Sequence, residues 1–195
     1  MSMTIILQHL RNSIDARFLV PAASGSAVVL TEDQQDATCR EVIINTNDVS
    51  IKPIVVNLDK REGTEAIDVH PLLSKEAGLK QGCDYLLICP TEKAIFLLLV
   101  ELKSQNFSGW LNQCVAGECL TRYVFSTIDR VKEMKLSLPL EFRHVLFTSN
   151  TGITRKRLTG NAGVLYVHEP NKQVQYTIRS CNGGPTGHNL KLLLR

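Results

Sequence analysis

Two apolar runs separated by four turn residues constrain the fold more than any other feature of this chain of 195 residues. Residues 83–89 and 94–103 are each of strand length, and residues 90–93, Pro-Thr-Glu-Lys, form a turn signal between them. Runs joined in this way predict a β-hairpin. Because neither run alternates apolar with polar residues, both strands are expected to be covered on both faces, in the middle of a sheet packed by helices.

Hydrophobic patterns on either side of the hairpin predict further strands and helices. Strands are expected at residues 28–30, 41–45, 51–58, 144–147, 163–167, 174–178 and 189–193. Ser108 is a predicted N-cap, and residues 109–125 carry the broad apolar face of a long helix. Residues 72–79 fit a short helix, whereas residues 3–11 fit either a helix or a strand.

These elements predict an α/β fold with a central mixed β-sheet flanked by helices. No repeat, low-complexity tract or Pro/Gly-rich linker divides the chain. We therefore expect a single domain, in which residues 1–37 form an N-terminal extension and residues 38–195 form the core around the hairpin at 83–103.

The cysteine pattern and the N-terminus indicate a cytoplasmic protein. The six cysteines include no Cys-x-x-Cys pair, and no Cys/His cluster has zinc-finger spacing. Three of them, Cys83, Cys89 and Cys114, lie in apolar runs, so we expect reduced thiols. The N-terminus lacks the pattern of a signal peptide, and the most apolar segment, residues 94–100, is too short to cross a bilayer. We therefore expect no membrane association.

Three charged residues stand out at one end of the predicted hairpin. Glu101 and Lys103 end the second run, and residues two apart in a strand point to the same face. Charged groups at the end of a buried run are costly unless they pair or bind something. Folding the hairpin about its turn places Asp84 opposite Glu101, within one residue of register. Two carboxylates and an ammonium are therefore expected to converge, although each could instead mark a strand end that emerges into solvent.

This arrangement resembles the core signature of the PD-(D/E)XK nuclease superfamily. In that family an Asp opens one strand of a hairpin and Glu-x-Lys ends the next, as Asp84 and Glu-Leu-Lys at 101–103 do here. The helix at 109–125 occupies the family's helix position, and Gln113 lies where some members carry a supporting Gln. The similarity covers residues 70–150.

The resemblance implies a restriction-endonuclease-like core and metal-dependent hydrolysis of phosphodiester bonds in DNA or RNA. It implies that magnesium or manganese binds Asp84, Glu101 and the backbone carbonyl of Leu102, because magnesium prefers oxygen ligands. Lys103 would then orient the attacking water or stabilise the charged phosphate, with Gln113 in support.

Other residues are weaker candidates for the same chemistry. Glu76 could supply a third acidic ligand but also fits a solvated helix face, and Glu118 is a further candidate for that role. The densest basic run, Arg155, Lys156 and Arg157, is a candidate for phosphate contacts, although such runs are often solvated turns.

The leading expectation is a metal-dependent nuclease, of a kind found in bacterial and phage conflict systems. The chain departs from the family pattern at one position, where Cys83 stands in place of the Pro that many members carry. Tyr85 and Trp110 are expected in the core rather than stacked on bases. No nucleophile elbow, P-loop or His-Glu-x-x-His motif suggests another chemistry. The alternatives are a catalytically inactive nuclease-like binding or assembly module and a structural protein with a coincidental motif. The net charge of +3 tolerates a nucleic-acid partner without requiring one, and a homodimer or a protein partner is compatible with the sequence.

Overall fold

The computed structural model describes residues 2–21, 26–34, 36–62, 65–69, 72–74, 76, 80, 82–104, 106, 108–149, 165–169, 172–181 and 187–194. Its helices are α1 (Met3–Ser13), α2 (Trp110–Lys132) and α3 (Leu190–Leu193). Its strands are β1 (Ala27–Thr31), β2 (Glu41–Asn45), β3 (Ile54–Asn57), β4 (Arg61–Glu62), β5 (Glu65–Ala66), β6 (Tyr85–Pro90), β7 (Ile95–Lys103), β8 (Leu140–Thr148), β9 (Leu165–Glu169), β10 (Lys172–Ser180) and β11 (His188–Asn189).

A six-stranded mixed sheet forms the centre of the molecule, with strand order β3-β6-β7-β8-β10-β9. The pairs β3/β6, β6/β7 and β9/β10 are antiparallel, whereas β7/β8 and β8/β10 are parallel. A second, three-stranded sheet has the order β1-β2-β11, and β4 pairs with β5. The predicted α/β class, with a mixed sheet and flanking helices, is confirmed.

Both faces of the hairpin strands β6 and β7 are covered, as their lack of alternation predicts. On one face α1 and α2 pack against β7 residues such as Leu97 and Leu99. On the other face the three-stranded sheet and α3 pack against Leu98 and Val100. Every residue of β6 is buried, so the hairpin lies at the centre of the core.

The N-terminal residues take part in this core. Residues 3–11, for which the sequence left helix and strand open, lie in α1. Ile6 and Leu10 of α1 are buried in the cluster on the α2 side, and Val28 and Leu30 of β1 are buried on the other side. The segment predicted as an N-terminal extension therefore covers both faces of the central sheet.

Two predicted elements are wrong where the structure describes them. Residues 72–74 and 76 are not helical, although a short helix was predicted over 72–79. Residues 189–193 were predicted as a strand, but the chain pairs only over His188–Asn189 and then turns into α3. The side chain of Asn189 accepts a hydrogen bond from the Lys191 amide at 2.9 Å, so an N-cap ends the extended segment there.

The helix α2 is longer than its apolar pattern predicts, and its start differs. It continues to Lys132, and the N-cap position is held by Gly109 rather than Ser108. Gly109 has φ +76°, a left-handed conformation that glycine adopts without strain. None of the helices in the described part of the chain is long and apolar enough to cross a bilayer.

The expectation that all cysteines are reduced is wrong for one pair, because Cys39 and Cys181 form a disulfide. Their Cα atoms lie 5.5 Å apart, within the usual range for a bridge. The bridge joins the segment before β2 to the end of β10, beside the ends of β7 and β8. The two cysteines are 142 residues apart in sequence, so their spacing carried no signal. Cys83, Cys89 and Cys114 are free and buried, as expected.

Loss of this bridge is expected to lower the free energy of unfolding by about 2–5 kcal/mol, because a cross-link over a long loop restricts the unfolded chain. The measurement compares denaturant unfolding of the oxidised chain with that of the double variant Cys39→Ala and Cys181→Ala. Cys119→Ala, at an exposed free cysteine, is the matched control and should leave the unfolding free energy unchanged. A double variant as stable as the parent would contradict this role of the bridge.

Candidate active site at the end of the central hairpin

The register of the hairpin brings Asp84 beside Glu101. β6 and β7 pair with Tyr85 opposite Val100, so Asp84, which directly precedes β6, lies next to the position of Glu101. The Asp84 carbonyl accepts a hydrogen bond from the Leu58 amide at 2.7 Å, which ties it to the end of β3 as well. The predicted hairpin and its register are therefore confirmed.

The Asp84 carboxylate is held by the backbone of β7. Its Oδ2 accepts a hydrogen bond from the Leu102 amide at 2.6 Å. The amide and carbonyl of one strand residue point to the same edge, so the Leu102 carbonyl also points toward Asp84. The neighbouring Lys103 carbonyl points the other way and accepts from the Ser149 amide at 3.3 Å. Leu102 thus offers a backbone oxygen on the side where the carboxylates lie.

The Glu101 carboxylate is fully buried, with 0% of its side chain exposed. The Lys103 Nζ lies 2.5 Å from its Oε1 and forms an ion pair with it. The Lys103 ammonium and the Asp84 backbone amide stabilise its charged form by hydrogen bonding. A buried carboxylate with so few partners is costly. Its oxygens can accept further bonds from a cation or a proton donor.

Burial shifts the pKa values of all three charged groups. It raises the pKa of Glu101 to about 7, against the opposing effect of the Lys103 ammonium. Burial, followed by repulsion from Glu101, holds the pKa of Asp84 well above its usual range. Burial would lower the pKa of Lys103, but the combined attraction of Glu101, Asp84 and Glu32 outweighs it, and the pKa lies above its ordinary value. The ammonium therefore stays charged near neutral pH, whereas both carboxyl groups take up a proton more readily than they would in water.

Asp84, Leu102 and Lys103 line a polar cavity of about 380 Å³ that also includes Gln113. The Gln113 Nε2 donates a hydrogen bond to the Gly82 carbonyl at 3.4 Å. Asp84, Glu101, Leu102, Lys103 and Gln113 are hereafter called the hairpin site. The structure thus brings together the five residues that the sequence analysis grouped, with Glu101 in the buried wall.

Three acidic residues of this cavity were missed by the sequence analysis. Glu32 and Asp36 follow β1, and Asp59 follows β3. The charge of Glu32 raises the pKa of Asp84 further, after burial and Glu101. Burial raises the pKa of Asp59, against the effects of Arg61 and Lys103. These residues are distant in sequence from the hairpin, and only the pairing of strands brings them near it.

The segment that carries Glu32 and Asp36 is fastened to the strand ends beneath it. The Thr38 amide donates a hydrogen bond to Ser104 Oγ at 2.8 Å, and the Thr38 hydroxyl lies 2.6 Å from Ser149 Oγ. Because Cys39 is bridged to Cys181, this wall of the cavity is also covalently anchored.

Other predicted candidates lie elsewhere. Glu76 is exposed and does not line the cavity. Glu118 is a buried residue of α2 that pairs with Arg122 at 2.8 Å and with His144 at 3.3 Å, and it does not line the cavity. Arg155, Lys156 and Arg157, the predicted phosphate contacts, lie outside the described residues.

Tyr85 and Trp110 are buried, as predicted for core residues. The Tyr85 hydroxyl donates to the Thr31 carbonyl at 2.6 Å and accepts from the Thr31 amide at 3.1 Å, so it fastens β1 to β6. Neither ring is free to stack on a base.

The hairpin site fits a hard divalent cation. Glu101 presents a buried carboxylate paired with Lys103, and Asp84 and the Leu102 carbonyl add oxygen donors on the same side. Within the described ranges, no group of three or more His, Cys, Asp or Glu side chains could hold a metal ion by itself. Magnesium does not require such a group, because it keeps several waters and binds through one or two carboxylates together with substrate phosphates.

Comparisons of the chain with protein-family models, with curated proteins and with solved structures find no match. The function is therefore inferred from the hairpin site itself, through the chemistry of its side chains and their surroundings.

Proposed function

We propose that this chain is a metal-dependent nuclease of the PD-(D/E)XK type, built on a restriction-endonuclease-like core. It hydrolyses phosphodiester bonds of nucleic acid by attack of an activated water. The observation that carries the proposal is the fully buried Glu101 carboxylate, which pairs with Lys103 and lies next to Asp84, two residues that line a polar cavity. Perturbed carboxyl groups gathered at a cavity are typical of catalytic sites, because stability alone does not favour them.

The order of the surrounding elements supports the family assignment. The hairpin β6–β7 lies at the centre of a mixed sheet, and its last residues carry the Glu-x-Lys pattern. The helix α2 follows directly and packs on the same face as Leu99, two residues before Glu101. Glu101 and Lys103 share that face by strand alternation, so Gln113 on the first turns of α2 borders the cavity beside them.

Asp84, Glu101 and the Leu102 carbonyl would hold magnesium or manganese. The ion, when bound, supplies positive charge for the phosphate and lowers the pKa of a water. Asp84 can bind the cation and still keep the hydrogen bond that its Oδ2 accepts from the Leu102 amide. Glu101, whose raised pKa favours the protonated form near neutral pH, would be held ionised by a bound cation.

Lys103 acts as a fixed positive charge and not as a base. Its raised pKa keeps the ammonium protonated at neutral pH, and its side chain is 25% exposed at the cavity. An ammonium in this position stabilises the negative charge that develops on the phosphate oxygens. Gln113, which also lines the cavity, can orient a water or a phosphate oxygen through its amide.

The proposed substrate is DNA or RNA, recognised first through its phosphates. Glu32, Asp36 and Asp59 make the cavity strongly acidic, and Lys80 and Lys103 are its two lysines among the described lining residues. A polyanion therefore gains little at this cavity until a divalent cation is present, which agrees with a metal-dependent reaction. Phosphate contacts by residues 155–157, a homodimer and a role in bacterial or phage conflict stay predictions.

Asp84→Asn is expected to reduce cleavage by about 100- to 1,000-fold and to weaken magnesium binding in parallel. The asparagine oxygen can still accept from the Leu102 amide, so the fold should survive. The measurements are magnesium titration by calorimetry and cleavage of a labelled oligonucleotide. Asp36→Asn is the matched control, since it removes the same charge from the same cavity without touching the hairpin.

An Asp84→Asn variant that cleaves as fast as the wild type would refute the assigned site. A wild-type chain that binds nucleic acid equally well with and without magnesium, and never cleaves it, would favour the inactive binding module instead.

A further inference from the structure

A second cavity, of about 260 Å³, adjoins the hairpin site. Its apolar lining comes from four aliphatic side chains: Leu58, Ile67, Val69 and Leu120. Asp59, Lys80 and Gly82 line both this cavity and the polar one, so the two meet at these residues. An apolar space therefore opens directly beside the place where a phosphate would be bound.

The floor of this apolar space is tightly packed. A Cβ added at Gly117 of α2 would lie 2.6 Å from Cys83 Sγ and 3.3 Å from a Leu99 methyl. The helix and the hairpin therefore touch closely below the cavity, and the open volume lies above that contact. Loose packing of the core does not account for it.

Size and polarity restrict the occupant. The volume lies just below the ~300–1,000 Å³ of sites for drug-sized ligands, so it suits a small planar group such as a nucleobase. The aliphatic side chains favour a group with apolar faces, and a nucleobase can bury its faces against them. At the rim, Asp68 and Lys80 form an ion pair whose side chains are partly exposed, so a carboxylate and an ammonium are available to the polar edge of a base.

We propose that this cavity, the base chamber, receives the base of the nucleotide next to the scissile phosphate; this inference rests on the proposed nuclease function. Within a nucleotide, one sugar separates the base from the phosphate. Two adjoining cavities that share lining residues can therefore hold the two groups side by side. A base can enter such a chamber only after it leaves the helical stack. The substrate class is therefore single-stranded or unpaired nucleic acid.

The first test measures binding and not cleavage. Calorimetry compares nucleoside 5′-monophosphates with ribose 5-phosphate, which has the same phosphate and sugar but no base, in buffer containing magnesium; neither ligand has a phosphodiester bond that could be cleaved. The wild type is expected to bind at least one nucleoside monophosphate about tenfold or more tightly than ribose 5-phosphate. Val69→Trp, which fills the chamber, should reduce that ratio to about one. Leu72→Trp is the control, because Leu72 is exposed and does not line the chamber.

A second test uses single-stranded oligonucleotides that contain one abasic position. The wild type should cleave poorly next to that position, and Val69→Trp should lose the distinction. Base-dependent binding without any cleavage would support the chamber while the nuclease proposal fails. Cleavage that ignores the abasic position, with equal affinity for nucleoside monophosphates and ribose 5-phosphate, would overturn the chamber while the nuclease proposal stands. If Val69→Trp does not fold, the affinities of the wild type for nucleoside monophosphates and ribose 5-phosphate still test the base chamber.

Discussion

Replacing Glu101 with glutamine is expected to reduce cleavage by at least about 100-fold and, at the same time, to stabilise the fold above pH 7. Glutamine keeps the volume of the buried side chain but removes its charge. Because the pKa of Glu101 rises from 4.5 to about 7 on folding, the folded chain binds a proton more tightly than the unfolded chain does. The carboxyl group therefore lowers stability progressively as pH rises from 4.5 to 7, and its full penalty is present above 7.

The size of this effect follows from the shift. Each pKa unit corresponds to ~1.4 kcal/mol, so the upper limit of the gain in Glu101→Gln is about 3 kcal/mol at pH 8. Near pH 4 the variant and the wild type should have similar unfolding free energies, because the carboxyl group is then protonated in both states. Denaturant unfolding at pH 4, 6 and 8, together with cleavage of a labelled oligonucleotide, measures both sides of the prediction.

Glu118→Gln is the matched comparison, since Glu118 of α2 is a second buried glutamate. It is paired with Arg122 and His144, so its neutralisation should destabilise the fold by leaving these partners without their carboxylate. A Glu101→Gln variant that loses stability as Glu118→Gln does, or that keeps wild-type cleavage, would contradict a functional origin of the buried charge.

Lys103→Ala is expected to reduce cleavage by about 100- to 1,000-fold and to destabilise the fold at high pH. Removal of the ammonium leaves the Glu101 carboxylate buried without its ion-pair partner, which costs about 3–5 kcal/mol for a buried pair. Loss of the opposing positive charge raises the pKa of Glu101 further. The destabilisation should therefore be largest at pH 8 and shrink as the pH falls and Glu101 takes up a proton.

The double variant Glu101→Gln and Lys103→Ala separates the two effects of Lys103. It should recover the stability lost in Lys103→Ala, because no buried charge remains, and it should stay inactive. Lys93→Ala, in the exposed turn of the same hairpin, is the control and should change neither property. A single Lys103→Ala variant with normal cleavage would refute the electrostatic role of the ammonium.

The centre of the fold could be predicted because local signals agree there. A four-residue turn between two apolar runs sets the register, and alternation then fixes which residues share a face. Asp84 and Glu101 were placed together on these grounds, and Tyr85 opposite Val100 confirms the register. The long helix was found from its apolar face, although its end at Lys132 lies beyond the residues that carry that pattern.

The remaining parts depend on contacts between distant segments. Glu32 and Asp59 reach the polar cavity only because β1 and β3 lie near the hairpin, and no local pattern marks them as site residues. The Cys39–Cys181 bridge likewise joins segments that approach only in the folded sheet. At residues 189–193 a leucine-rich segment fits a strand, but the Asn189 cap favours a helix.

The most direct test of the central claim is cleavage of a panel of single- and double-stranded DNA and RNA by the purified chain, with magnesium, manganese or EDTA and alongside Lys103→Ala. We predict cutting of at least one single-stranded substrate that requires the metal and disappears in the variant. A folded, magnesium-loaded chain that leaves the whole panel intact, or cutting that persists in EDTA or in Lys103→Ala, would contradict a metal-dependent nuclease built from Asp84, Glu101 and Lys103.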